Sequence, residues 1–134
     1  MIVVLRIFFA IVGLSMVAVT SWAGLQVPLW SIPRAVGSHP WFIATLFDAY
    51  WGFFTFFAWV CYKETRWRSR ILWFGAIVLL GNMAMAAYGL AVTLQVPTDA
   101  SPAEVLLRGR PVSIVVPLLL LAAFVLVSLI AAAA

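Results

Sequence analysis

Four apolar segments, each about as long as a membrane-spanning helix, dominate this chain and constrain its fold. They cover residues 2–23, 41–62, 71–95 and 112–131 of the 134 residues. A helix needs roughly 20 apolar residues to cross the hydrocarbon core of a bilayer. The connectors are too short to form a separate soluble domain. We therefore predict an all-α, polytopic membrane protein: one domain, residues 1–134, with four transmembrane helices in a compact bundle.

The composition supports a location in lipid. Hydrophobic residues make up 66% of the chain and charged residues 9%, with a mean hydropathy of +1.16, whereas about a quarter of the residues of a soluble domain are charged. The net charge of +4 comes from basic residues beside the apolar segments, where they contact lipid headgroups and set orientation. We expect the lipid bilayer as a partner and no nucleic acid.

The second segment contains a carboxylate, Asp48, which needs a physical explanation. A charge within the hydrocarbon core costs at least about 2.5 kcal/mol, so such residues usually face the interior of a bundle. Thr45, Gly52 and Thr55 recur with Asp48 at spacings of three and four, which places all four on one helix face. We predict an intramembrane polar site inside the bundle, formed by Asp48, Asn82, Thr45, Thr55 and Ser15.

Glycine in the third segment indicates close helix packing. Gly75, Asn82 and Gly89 repeat every seven residues, and small residues on one stripe let neighbouring helices approach. We predict helix packing at Gly75 and Gly89.

The connector between the second and third segments, KETRWRSR over residues 63–70, carries the main orientation signal. With Arg6 it places five basic residues on one side, against Arg34, Arg108 and Arg110 on the other. The positive-inside rule then predicts that both termini are cytoplasmic, in a bacterial inner membrane. Arg66, Arg68 and Arg70 are interpreted as this orientation signal, with a lipid-headgroup or partner patch as the alternative.

A short interfacial helix is predicted before the fourth segment. Ser101 and Glu104 have the spacing of a capping box, and Pro102 occupies the first helical position. Glu104 and Arg108 are spaced to pair at i and i+4.

The middle of the chain resembles a family of small uncharacterised integral membrane proteins from bacteria and plants. The shared pattern is W-x-x-A-T-L-x-D-x-Y followed by W-V-x-Y-K-E-x-x-W, matched here from Trp41 to Tyr50 and from Trp59 to Trp67. The similarity covers roughly residues 1–90. It implies a membrane protein without an established activity.

Three classes of function are compatible with these features. The first is an accessory or interaction subunit that packs as a homo-oligomer or with a larger membrane complex. The second is a small transporter or channel subunit in which Asp48 is a proton or cation site. The third is a lipid-modifying enzyme that uses Asp48 with Tyr50 or His39. Enzymes of this kind usually need several converging polar groups, so the first class is favoured and no catalytic residue is assigned. With one cysteine and one histidine in the chain, we expect no metal and no cofactor.

Overall fold

The computed structural model describes residues 1–133, with the side chains of Leu29 and residues 131–133 left aside. The described chain is all-helical, with 81% helix and no strand. Seven α-helices and one 3₁₀ turn follow in order: α1 Ile2–Gln26, the turn Leu29–Ser31, α2 Arg34–Gly37, α3 Pro40–Lys63, α4 Trp67–Leu80, α5 Asn82–Leu94, α6 Pro102–Leu107 and α7 Val115–Ala133.

Two of these helices, α1 and α3, are long and apolar enough to cross a membrane. They begin and end within three residues of the predicted segments 2–23 and 41–62. The α1–α3 connector contains Pro28 and Pro33, which interrupt the helix. At the start of α3, Pro40 occupies the first turn and His39 Nδ1 accepts a hydrogen bond from the Trp41 amide at 3.3 Å, so a side chain satisfies one of the free amides of the first turn.

The third predicted segment, residues 71–95, is not one helix. The helix breaks at Gly81, whose φ of +53° and ψ of −126° favour glycine. The rings of Trp73 and Tyr88 lie 4.8 Å apart, although fifteen residues of continuous helix would separate them by about 22 Å. Helices α4 and α5 therefore form a hairpin. No polar residue lies between Ile71 and Gly81, so the hydropathy of the sequence does not indicate the reversal.

The hairpin reaches only halfway along α3. Its turn packs on the middle of that helix, where a Cβ on Gly81 would lie 2.6 Å from the Phe53 ring. Closer to the end of α3, the Phe57 and Phe74 rings are 5.0 Å apart. With 14 residues, α4 is about 21 Å long, which is less than the roughly 30 Å hydrocarbon core. The first half of α3 therefore extends beyond the hairpin and is mostly exposed.

Helix α1 packs along α5 in the antiparallel direction. The Phe9 ring lies against Gly89, and a Cβ on Gly13 would be 3.7 Å from the Ala86 Cβ. The Arg6 guanidinium donates to the Thr93 carbonyl at 2.9 Å. The start of α1 thus lies beside the end of α5.

Helix α7 runs alongside α4 in the same direction. The Val112 amide, just before α7, contacts Glu64 at the start of the α3–α4 connector, while Leu121 contacts the Gly75 position in α4. The described part of α7 therefore ends at the opposite end of the bundle from the start of α1. The expectation that both ends of the chain share one side does not agree with this arrangement, because the hairpin returns the chain to the end from which it entered.

The short helix before the last segment is confirmed as α6, Pro102–Leu107. Ser101 occupies the N-cap position, but its side chain makes no capping hydrogen bond. The Glu104 and Arg108 side chains are 3.8 Å apart, as their spacing predicts.

Two glycines that look alike in the sequence should respond differently to substitution. A Cβ on Gly89 would lie 2.5 Å from the Phe9 ring, whereas one on Gly75 would lie 4.0 Å from Leu121. We expect Gly89→Ala to destabilise the protein by about 1–3 kcal/mol, because Phe9 must leave its position against α5. Gly75→Ala should be neutral or stabilising by up to about 1 kcal/mol, because alanine favours the helix. Thermal unfolding in detergent compares the two, and equal melting temperatures would contradict this packing.

Candidate functional site

Two consecutive charged residues at the end of α3, Lys63 and Glu64, are completely buried. Burial of a charge is costly unless the group is hydrogen-bonded. Within the described residues they form no ion pair with each other, and each side chain has partners of its own. We call these two residues, the groups that bind them and the neighbouring α3 side chains that cap α6 the Lys63–Glu64 centre.

The Glu64 carboxylate accepts three hydrogen bonds from three different parts of the chain. Ser69 in α4 donates its hydroxyl to Oε2 at 2.7 Å. Tyr88 in α5 and the Val112 amide before α7 donate to Oε1 at 3.2 and 2.8 Å. Arg70 also donates its Nε to the Glu64 carbonyl at 2.8 Å. One carboxylate therefore connects the end of α3 to both arms of the hairpin and to the start of the last helix.

Lys63 belongs to a group of α3 side chains that cap the end of α6. The last carbonyls of a helix have no partner within the helix. Here three side chains donate to four consecutive carbonyls: Trp59 Nε1 to Leu106 at 3.1 Å, Tyr62 OH to Leu107 at 2.8 Å, and Lys63 Nζ to Val105 at 2.5 Å and to Arg108. A cation at a helix C-terminus is also favoured by the helix dipole. The short helix α6 is thus held in place by α3.

Aromatic rings surround the Tyr88 side chain and fix its hydroxyl toward Glu64. Trp73, Trp59 and Phe56 pack edge-on against Tyr88, with centroid distances of 4.8, 5.6 and 6.0 Å. Such pairs contribute about 0.5–1.5 kcal/mol each beyond their buried area. The buried Trp73 Nε1 has no hydrogen-bond partner among the described residues.

The centre is suited to holding helices together rather than to binding a substrate. Both Glu64 oxygens already accept from protein donors, and the Lys63 ammonium already donates to two carbonyls. Two shallow, open surface depressions lie beside α6 and beside α2, and neither is lined by Glu64. Among the described residues, no group of three His, Cys, Asp or Glu side chains could hold a metal ion.

The predicted intramembrane polar residues are not brought together. Asp48 and Asn82 are exposed, one in the first half of α3 and the other at the tip of the hairpin. The hydroxyls of Thr45, Thr55 and Ser15 donate to carbonyls in their own helices at 2.8, 2.9 and 3.0 Å. The expectation that Asp48 points into the chain's own bundle is therefore incorrect for the single chain.

Asp48 faces away from the bundle because of its position relative to the aromatic residues. It precedes Phe53 by five residues, which rotates it about 140° around the helix axis. Phe53 packs on the hairpin turn, so Asp48 points outward with Gly52 and Thr55. The spacing of the polar residues defined a common face but did not determine its direction. Phe53, Phe56 and Phe57, which pack against the core, occupy the inward face.

The arginines of the α3–α4 connector separate into two groups. Arg66 and Arg68 are exposed, whereas Arg70 is half-buried by its hydrogen bond to Glu64.

The sequence patterns assigned Lys63 to the orientation signal and did not identify Glu64 as a site residue. The available signal was the W-V-x-Y-K-E pattern, in which Trp59, Tyr62, Lys63 and Glu64 stand together; all four contribute to the centre.

Comparison with known proteins identifies one family for this chain. A family model described as "Protein of unknown function (DUF1475)" matches residues 1–113. The resemblance to an uncharacterised family is therefore confirmed and extends beyond residue 90, through α6 to the Val112 amide. Helix α7 lies outside the match. No curated protein and no solved structure matches the chain.

The burial of Glu64 predicts a large effect of its removal. Glu64→Ala leaves the hydroxyls of Ser69 and Tyr88 and the Val112 amide without their acceptor, and we expect a loss of about 3 kcal/mol or more. Glu104→Ala is the matched control: its carboxylate is 40% exposed and pairs with Arg108 and Arg110 at 3.8 and 3.5 Å, so its loss should cost less than about 1 kcal/mol. Unfolding in detergent measures both, and a loss for Glu104→Ala equal to that for Glu64→Ala would argue against the centre.

Proposed function

The chain belongs to the DUF1475 family, a family of unknown function, and we propose that it is an integral membrane protein that acts as an interaction subunit. On this proposal, the outward face of α3 packs against a membrane helix of another subunit, either a second copy of the chain or a component of a larger complex. The observation that carries the proposal is the exposed carboxyl of Asp48 on a helix suited to crossing a membrane.

Exposed apolar side chains along the long helices support a bilayer location. Leu14, Trp22 and Leu25 of α1 are 72%, 65% and 85% exposed, and Phe47 and Trp51 of α3 are 67% and 63% exposed. A contiguous apolar surface of this kind indicates a membrane or a protein interface.

The depth of Asp48 makes lipid an unfavourable neighbour. It lies eight residues after Pro40 at the start of α3, or about 12 Å along the helix. In a hydrocarbon core of roughly 30 Å, this is well below the headgroups. A carboxyl at such a depth costs at least about 2.5 kcal/mol in the charged form. A neighbouring helix that supplies a hydrogen-bond donor would offset part of this cost.

The residues beside Asp48 are suited to close helix approach. Gly52 lies four residues further along the same face, and a Cβ there would have no atom within 4 Å. Glycine on an exposed face lets a second backbone come close, and hydroxyls such as those of Thr45 and Thr55 can bond across a helix pair. The face therefore combines a polar group that needs a partner with the space to receive one.

Gly52→Leu tests the proposal without disturbing the fold of the single chain. The added side chain enters open space in the monomer but would block a helix packed on this face. We expect association in lipid vesicles to weaken at least about tenfold, which corresponds to 1.4 kcal/mol, while the melting temperature of the monomer is not lowered, because leucine favours the helix more than glycine does. Association is measured by energy transfer between labelled copies and by recovery of larger complexes from native membranes.

Gly24→Leu in α1 is the matched control, because a Cβ on Gly24 also has nothing within 4 Å. We expect it to associate like the parent. Undiminished association of Gly52→Leu, or an equal loss for Gly24→Leu, would contradict a role for the α3 face.

A further inference from the structure

We propose that the basic end of the bundle is a binding surface for anionic phospholipid headgroups and faces the cytoplasmic leaflet. The basic end is defined by Arg6, Lys63, Arg66, Arg68, Arg70, Arg108 and Arg110. This inference shares with the proposed function only the premise that the chain lies in a bilayer.

Contacts between distant parts of the chain place these seven residues together. Arg6 donates to the carbonyls of Thr93 and Val96 at the end of α5. Arg110 donates to the carbonyl of Gln95 at 2.9 Å. Lys63 donates to the carbonyl of Arg108, and residues 66–70 follow it directly. Of the eight Lys and Arg residues, only Arg34 lies elsewhere, in α2 before the start of α3.

The hairpin explains why the sequence alone predicted a smaller difference in the number of basic residues between the two ends of the bundle. A continuous third helix would carry Arg108 and Arg110 to the same side as Arg34, which gives five basic residues against three. Because the chain reverses at Gly81, those two arginines return to the side of Lys63. The division becomes seven against one, and an excess of this kind marks the cytoplasmic side of a membrane protein.

Two of these cations are available to a ligand. Arg66 and Arg68 are exposed, and in the described part of the chain their side chains donate to no acceptor. Arg6, Lys63, Arg70 and Arg110, by contrast, are engaged with backbone carbonyls. The seventh, Arg108, is exposed but lies 3.8 Å from the Glu104 carboxylate. The free guanidinium groups can bind phosphate oxygens with two parallel hydrogen bonds.

Apolar groups at the same end indicate a lipid rather than a soluble anion. Trp67, between the two free arginines, is 71% exposed, and Leu106 and Leu107 of α6 are 54% and 65% exposed. Tryptophan favours the headgroup level of a bilayer, and exposed leucines at this depth suit the adjoining acyl chains. A headgroup phosphate with its own acyl chains matches both parts of the surface, and each nearby cation adds to the attraction of an anionic leaflet.

Lipid retention tests the proposal directly. The full chain is reconstituted in a mixture of phosphatidylcholine and phosphatidylglycerol, extracted into mild detergent, and analysed by native mass spectrometry for bound lipid. We expect the parent to retain phosphatidylglycerol preferentially, and Arg66→Gln/Arg68→Gln to reduce that retention at least tenfold. The double variant should melt like the parent, because neither side chain binds another described group. Arg34→Gln, the matched control at the other end, should retain lipid like the parent.

Three results would overturn the proposal: unchanged retention in the double variant, an equal loss in Arg34→Gln, or displacement of the lipid by millimolar inorganic phosphate, which would indicate a free-anion site. The measurement is made on single chains, and Gly52→Leu should retain lipid like the parent. Failure of the α3 interface would therefore leave this test unaffected.

Cysteine labelling in intact bacterial cells tests the orientation. In a Cys61→Ser background, Thr65→Cys lies at the basic end and Ser38→Cys at the opposite end, and both positions are exposed. We expect an impermeant maleimide to label Ser38→Cys in intact cells and Thr65→Cys only after permeabilisation. The reverse pattern would place the basic end outside and contradict the proposal.

Discussion

The buried carboxylate of Glu64 is the interaction on which the arrangement of this end of the molecule depends. This carboxylate accepts hydrogen bonds from α4, from α5 and from the segment before α7. Each donor is itself buried or at a helix end, where an unpaired polar group would be costly. Because removing the acceptor leaves all three groups unpaired, Glu64 links the stability of the hairpin to that of the last helix.

The hairpin and the Lys63–Glu64 centre require each other. Tyr88 lies nineteen residues after Ser69, a separation of about 28 Å along a continuous helix. Only the reversal at Gly81 brings both hydroxyls to the same carboxylate. In return, the hydrogen bond from Tyr88 and its contacts with Trp73 and Trp59 hold α5 against α3 and α4.

Sequence patterns predicted the helical class, the extents of α1 and α3, and the short helix α6, because these depend on local hydropathy and proline positions. The capping hydrogen bond expected from the Ser101 side chain does not form. These patterns did not predict the reversal at Gly81. A glycine in an apolar run looks the same in the sequence whether it lets two helices pack closely or allows the chain to turn. They also failed to indicate the direction of the Asp48 face. That direction depends on which aromatic side chains of α3 pack against the rest of the protein. The spacing of residues along one helix does not specify this.

The residues that form the hydrogen bonds of the centre are not equally constrained in their amino-acid type. Trp59, Tyr62, Lys63 and Glu64 act through their side chains, whereas Val105, Leu106, Leu107, Arg108 and Val112 act through main-chain groups. Any residue provides a carbonyl, and any residue except proline provides an amide. Substitutions at Leu106, Leu107 and Arg108 can therefore leave these hydrogen bonds in place, whereas Val105 and Val112 are also constrained by the burial of their side chains in the core.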